Sequence, residues 1–272
     1  MRTVIASITG LILIAHAGPA MAAERSIRLA STTSTENSGL FSHLLPIFEA
    51  KTKIRVHVIA VGTGQAIRLA ERGDADVLLV HHKPSEERFV QRGFGVRRFD
   101  VMYNDFVLVG PKADPARVGG GRDAVAALRK LASARSRFVS RGDDSGTHKK
   151  ELGLWRDAGI DVKVVGARWY RETGSGMGAA LNTASGLNAY ILTDRATWIA
   201  FRNKGRLTLL LEGDRRLFNQ YGVILVNPAR HRHVKARDGR TLIAWLLSSQ
   251  GQKAIAAFRV RGRQLFFPNT KP

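Results

Sequence analysis

The residues best equipped for chemistry lie between Phe138 and Glu151, in the order Phe-Val-Ser-Arg-Gly-Asp-Asp-Ser-Gly-Thr-His-Lys-Lys-Glu. A strand-like start, then a cation, glycines and hydroxyls, then a helix-like end outline an anion cradle. The first N–H groups of a helix lack intrahelical partners and carry the positive end of its dipole, so glycines and hydroxyls placed there can surround an oxyanion. Arg141 would supply a full charge, and Ser145 and Thr147 hydroxyl donors. A helix cap uses the same residue types and is the commoner use of them. The stretch gains force from its recurrence.

Ser26 to Ala30 alternates like a strand and runs into Ser31-Thr32-Thr33-Ser34-Thr35, more hydroxyls than one cap requires. A helix follows, with Leu40, Phe41, Leu44, Leu45, Ile47 and Phe48 on its face. The next strand, Ile54 to Val61, ends in Gly62-Thr63-Gly64 before a helix from Gln65 to Arg72 and an apolar strand from Ala75 to Val80. A fourth such turn, Gly174-Ser175-Gly176-Met177-Gly178, opens a helix carrying Ala179, Ala180 and Leu181. Its glycines are not spaced as in the dinucleotide fingerprint. Glycine-rich turns at the carboxyl ends of neighbouring parallel strands are what a ligand crevice in an open α/β sheet is made from.

The elements that must carry these turns fall into two groups. Asp100 to Pro111 reads as a long strand closed by a breaker, followed by a polar, Gly-rich stretch to Arg122. The second group then reads as a helix from Asp123 to Ser133, a strand from Ser136 to Ser140, the cradle and its helix, and a strand from Val162 to Trp169. After the fourth turn come a strand from Ala189 to Asp194, a helix from Ala196 to Arg202 and a strand from Leu207 to Leu211. Asn219 to Pro228 repeats the pattern of Asn104 to Pro111, an apolar strand flanked by Asn and stopped by Pro. A chain that crosses twice makes two α/β lobes with a hinge, and one last helix, Thr241 to Phe258, would return to the first lobe. The spacing predicts residues 24–106 and 222–272 in one lobe and 107–221 in the other.

Arg2, an apolar run from Val4 to Ala17 and the small residues Ala20-Met21-Ala22 predict a secretory signal peptide over residues 1–23, cut after Ala22 or Ala23. The chain has no Cys, which excludes disulfides, thiol chemistry and a lipid-anchored Cys; a cysteine-free exported chain of this length suits a bacterial periplasm. Its 43 Lys+Arg against 22 Asp+Glu give a formal charge of +21. The basic residues are scattered, without long runs or aromatic-interleaved strands, which argues against nucleic acid and for a generally basic surface that would draw in small anions. His81-His82 and His231/His233 lack the spacing of a metal site, so no metal or other cofactor is expected. Ser145, His148 and Asp144 are too close in sequence for a hydrolase triad, and Ser145 lacks the G-x-S-x-G elbow. No enzymatic activity is expected.

Taken together, Ser31 to Thr35 with Ser38-Gly39-Leu40, Val61 to Gly64, Gly73 to His81, Tyr103 to Phe106, Ser140 to Glu151, Gly174 to Gly178 and Tyr190 to Arg195 resemble the TupA-type tungstate-binding proteins of ABC importers. The resemblance spans nearly the whole chain beyond the signal peptide. It implies a type II periplasmic binding protein, each lobe a mixed sheet with flanking helices, working as a monomer with the importer's membrane subunits as partners. It also implies a tetrahedral oxyanion, tungstate or the nearly equal-sized molybdate, held by Thr32, Thr33, Thr63, Arg141, Ser145, Thr147 and Ser175. Phosphate is the rival ligand, because Arg141-x-Asp143-x-Ser145-Gly146-Thr147 also looks like the motif of phosphate-binding proteins. Asp143 decides: it would accept the proton of hydrogen phosphate, whereas for tungstate it must turn away or pair with Arg141.

Overall fold

The computed structural model describes residues 25–165 and 168–270; the expected signal peptide lies outside them. The first lobe opens with β1 (Arg25–Thr32), a short helix α1 (Thr33–Asn37), α2 (Leu40–Thr52), β2 (Ile54–Val61), α3 (Thr63–Glu71), β3 (Val77–Val80) and α4 (Lys83–Gln91), and leaves through the long strand β4 (Gly95–Pro111). The second lobe holds α5 (Ala124–Ser133), β5 (Phe138–Ser140), α6 (Gly146–Asp157), α7 (Val162–Val165), β6 (Tyr170–Glu172), α8 (Met177–Leu187), β7 (Tyr190–Asp194), α9 (Arg195–Ala200) and β8 (Leu207–Leu211). A 3-10 turn, Arg215–Leu217, leads into β9 (Phe218–Val226), which returns to α10 (Ala236–Leu247), α11 (Ser249–Ala257) and the short strands β10 (Arg259–Val260), β11 (Arg263–Gln264) and β12 (Phe267–Pro268).

The main sheet runs β2-β1-β3-β9-β4-β7-β5-β6. β1 pairs in parallel with β2 and β3, and β5 in parallel with β6 and β7, so the turns after β1, β2 and β5 all leave from carboxyl ends of parallel strands. β4 joins the halves: its first part pairs antiparallel with β9, from Gly95↔Val226 to Asp105↔Phe218, and its end pairs with β7 and β8. The chain changes lobe along these two crossing strands, as the matched Asn-flanked patterns predict. Ile27, Leu29, Phe48, Val77 and Trp245 pack one face of the first lobe, and Ala66, Val80, Phe89 and Ile224 the other. Phe106, Leu128, Phe138, Trp155 and Tyr190 fill the second lobe. No helix among the described residues is long and apolar enough to cross a membrane.

Two expectations fail. The stretch from Val162 is not a strand: Asp161 accepts N–H bonds from Lys163 through its carboxylate and from Val164 and Val165 through its carbonyl, making one helical turn. Its valines leave Val164 and Val165 exposed, and the strand starts only at Tyr170. The last helix is two helices. Ser248 has extended backbone (ψ 160°), donates to the Trp245 carbonyl at 2.7 Å and caps α11 by accepting from Gly251 N–H. Local side-chain bonds to the backbone defeat the apolar pattern in both places. The helices α1 and α4 were not expected.

Candidate oxyanion-binding site

Each hydroxyl turn becomes a helix start, and these starts meet where the lobes face one another. Gly146 N–H, at the start of α6, donates to Thr63 Oγ1 at the start of α3 over 2.8 Å, and Gly64 N–H donates to the Asp144 carbonyl at 3.2 Å. Arg141 lies between, 1% exposed, and its Nη2 donates to Thr33 Oγ1 of the first lobe at 3.1 Å. Gly176 caps α8 so close to Thr33 that a Cβ there would sit 3.4 Å from Thr33 Oγ1. The positive ends of α3, α6 and α8 thus converge with a guanidinium, which favours an anion between them.

The hydrogen bonds set which donors the cleft offers. Thr33, Thr63 and Ser145 each accept an N–H on the hydroxyl oxygen, from Arg141, Gly146 and His148 respectively, and so keep their own protons free to donate. Thr147 Oγ1 is buried with no hydrogen-bond partner among the described residues, a costly arrangement for a group that has nothing to bind. Asp143 pairs with Arg141, one of the two arrangements that tungstate requires of it: one oxygen accepts from Arg141 Nη2 at 2.5 Å and the other from Ser145 N–H at 3.2 Å. Burial pulls the Arg141 guanidinium down from its ordinary value, and Asp143 opposes that shift. A guanidinium stays protonated in either case.

Of the seven expected residues, Thr33, Thr63, Arg141, Ser145 and Thr147 gather here. The other two play supporting parts in this arrangement. Thr32 caps α1, with its hydroxyl within 3.1 Å of Ser34 Oγ and 2.8 Å of Thr35 Oγ1. Ser175 donates its hydroxyl to Thr173 and its N–H to the Arg141 carbonyl, and its own carbonyl accepts Arg141 Nε at 3.4 Å, so it holds Arg141 in place.

Behind these residues lie further contacts that sequence reasoning did not point to. His81 is buried, with Nδ1 on Asn219 Oδ1 at 3.0 Å and Nε2 on Ser34 Oγ at 3.2 Å; burial drives it down to about 3, so it is neutral. With Nδ1 donating to the amide oxygen, Nε2 must accept from Ser34. Asn219 in turn donates to Asn104 Oδ1 at 2.6 Å, tying the hydroxyl turn to both crossing strands. Thr197 Oγ1 donates to Asp194 Oδ2 at 2.7 Å and lies 3.3 Å from the Ser34 carbonyl. The asparagines Asn104 and Asn219, paired within β4 and β9, were the signal that could have exposed this network. His82 bonds Ser85 instead, at 2.7 Å, so the adjacent histidines serve different partners. Ser145 Oγ takes the His148 backbone N–H, while the His148 ring accepts from Asp144 N–H, an arrangement unlike a nucleophile and its base.

A family model described as a PBP superfamily domain matches residues 17–250. The chain is 46% identical over 251 residues to the tungstate-binding protein TupA of Peptoclostridium acidaminophilum, covering 91% of this chain and 87% of that protein. The chain belongs to the PBP superfamily and, within it, to the TupA family. Among solved structures it resembles the tungstate ABC transporter protein of Geobacter sulfurreducens, at 49% identity and a TM-score of 0.80, over 87% of this chain and all of that one. It also resembles the TupA protein of Desulfovibrio alaskensis G20, at 43% identity and a TM-score of 0.77, over 91% of this chain and all of that one. The two-lobed α/β architecture expected of a type II binding protein is therefore the fold of this TupA-family chain.

Proposed function

We propose that this TupA-family protein captures tungstate, with molybdate as the nearest competitor, in the cleft between its lobes and delivers it to the membrane subunits of an ABC importer. The observation that carries the reading is the donor-only character of the cleft: free hydroxyl protons on Thr33, Thr63 and Ser145, the unpartnered Thr147 hydroxyl, and Arg141, with Asp143 spent on Arg141 and Ser145. Tungstate carries no proton at neutral pH and needs donors alone. Hydrogen phosphate must also place its proton on an acceptor, and Asp143 would have to accept it while paired with Arg141 and Ser145.

In this reading Thr33, Thr63, Arg141, Ser145 and Thr147 touch the oxyanion, while Thr32 and Ser175 shape the turns that hold it. Residues 24–106 and 222–272 form one lobe and 107–221 the other, closing as a monomer around the ligand and excluding water. Residues 1–23 direct export to the periplasm and are removed; the protein has no enzymatic role and needs no cofactor. Calorimetric titration of the mature chain with tungstate, molybdate, sulfate and phosphate tests the reading. Tungstate and molybdate should bind far more tightly than phosphate. Phosphate binding at equal strength would overturn it.

A further inference from the structure

The turn Gly62-Thr63-Gly64 presses on Asp143-Asp144 more tightly than ligand contact requires. A Cβ on Gly64 would lie 1.6 Å from Asp144 Oδ2, and one on Gly62 would lie 3.1 Å from the Asp143 carbonyl. Asp144 itself has φ +58°, a left-handed conformation that an Asp tolerates at some cost, and it aims its carboxylate over Gly64. That carboxylate meets Arg68 Nη1 of α3 at 3.3 Å and Lys149 of α6, while the Asp144 carbonyl accepts Gly64 N–H at 3.2 Å. One residue of the second lobe thereby joins backbone and side chain of the first.

We propose that Gly64 and Asp144 form a latch across the cleft that sets oxyanion affinity by holding the lobes closed, without touching the ligand. The inference rests on the oxyanion reading above. Gly64 sits in the first turn of α3 with helical backbone, so nothing in the lobe itself demands a glycine there. An Ala at this position should stabilise the helix of the free protein, yet its methyl would have to displace the Asp144 carboxylate and would crowd the Asp144 carbonyl, 3.2 Å from that Cβ, and so loosen closure. A glycine in a helical conformation that the facing lobe crowds through the Asp144 carboxylate and carbonyl marks closure as its purpose.

The test is a double-mutant cycle read by tungstate calorimetry and by melting without tungstate. Gly64→Ala should weaken tungstate binding by about 5- to 140-fold, the equivalent of an overpacking penalty of about 1–3 kcal/mol, while the free protein melts at the wild-type temperature or above it. Asp144→Gly, which fits the positive φ and removes the exposed Arg68 pair, should cost about 5-fold or less. Gly64→Ala/Asp144→Gly should bind more tightly than Gly64→Ala alone, because the clashing carboxylate is gone. Wild-type affinity in Gly64→Ala, a lowered melting temperature of the free variant, or no recovery in the double variant each overturns the latch. A wild-type protein that gives no heat with tungstate overturns the oxyanion reading and the latch with it; binding by wild type with an indifferent Gly64→Ala overturns the latch alone.

Discussion

Replacing Arg141 by Ala removes a guanidinium that is 1% exposed and makes three contacts: Thr33 Oγ1 at 3.1 Å, Asp143 Oδ2 at 2.5 Å and the Ser175 carbonyl at 3.4 Å. Two losses follow. The ligand loses a charge-assisted hydrogen bond, of about 1.5–3 kcal/mol. The Asp143 carboxylate, 13% exposed, also loses its counter-charge and faces the incoming dianion. Together these should weaken tungstate binding by about 2–5 kcal/mol, or roughly 30- to 4,000-fold. Adding Asp143→Asn to Arg141→Ala should recover part of that loss, because the repelling charge is gone, and the recovered fraction measures the second term. Arg141→Lys keeps the charge but loses the planar guanidinium whose Nη2 meets Thr33 and Asp143 while its Nε meets the Ser175 carbonyl, so it should change the ranking of tungstate, molybdate and phosphate as well as the affinity. The assay is calorimetry on folded variants, checked by circular dichroism and melting. If Arg141→Ala binds tungstate as tightly as wild type while folded, the cradle from Ser140 to His148 is not the ligand site.

Thr147→Val should lose about 1–3 kcal/mol of tungstate binding yet leave the free protein as stable as wild type or more so, since the buried hydroxyl it removes has no protein partner; a matching fall in melting temperature would instead place that hydroxyl in the fold. Glu151 lies on the buried face of the cradle helix α6, accepts from Tyr170 Oη at 2.7 Å and Trp155 Nε1 at 3.1 Å, and is pushed by burial up to about 8. The native state therefore binds a proton that the unfolded chain releases near pH 4.5, so wild-type stability should decline between about pH 5 and 8 relative to Glu151→Gln, by up to about 1.4 kcal/mol per pH unit. A pH-independent difference between the two in urea unfolding would show that Glu151 is ionised in the fold. Tungstate affinity should fall only modestly from low to physiological salt, because the contacts are buried hydrogen bonds, and a loss of several decades would move the site to the basic surface. Saturating tungstate should compact the protein in solution scattering, and an unchanged profile would count against hinge closure.

The hydroxyl and glycine turns were legible because a helix start with free N–H groups leaves a local signature: Thr32-Thr33, Gly62-Thr63-Gly64 and Ser145-Gly146-Thr147 each lie within a few residues of the donors they present. The two crossing strands were legible for a similar reason, since Asn104 and Asn219 flank matching apolar runs. Local competition defeated the reading at Val162, where Asp161 makes a turn out of strand-forming residues, and at Ser248, where one hydroxyl ends a helix and caps the next. Tertiary structure alone decided which donors remain free. The orientation of a hydroxyl depends on which distant N–H it accepts, and the partners of Thr63 and Thr33 are Gly146 and Arg141, 83 and 108 residues away. The same holds for the neutral state of His81, fixed by burial and by Asn219 138 residues on, and for the need for glycine at position 64, which arises only when the facing lobe brings Asp144 against it. Sequence sets the donors because capping is local; closure assigns their protons because its contacts join segments that only the folded chain brings together.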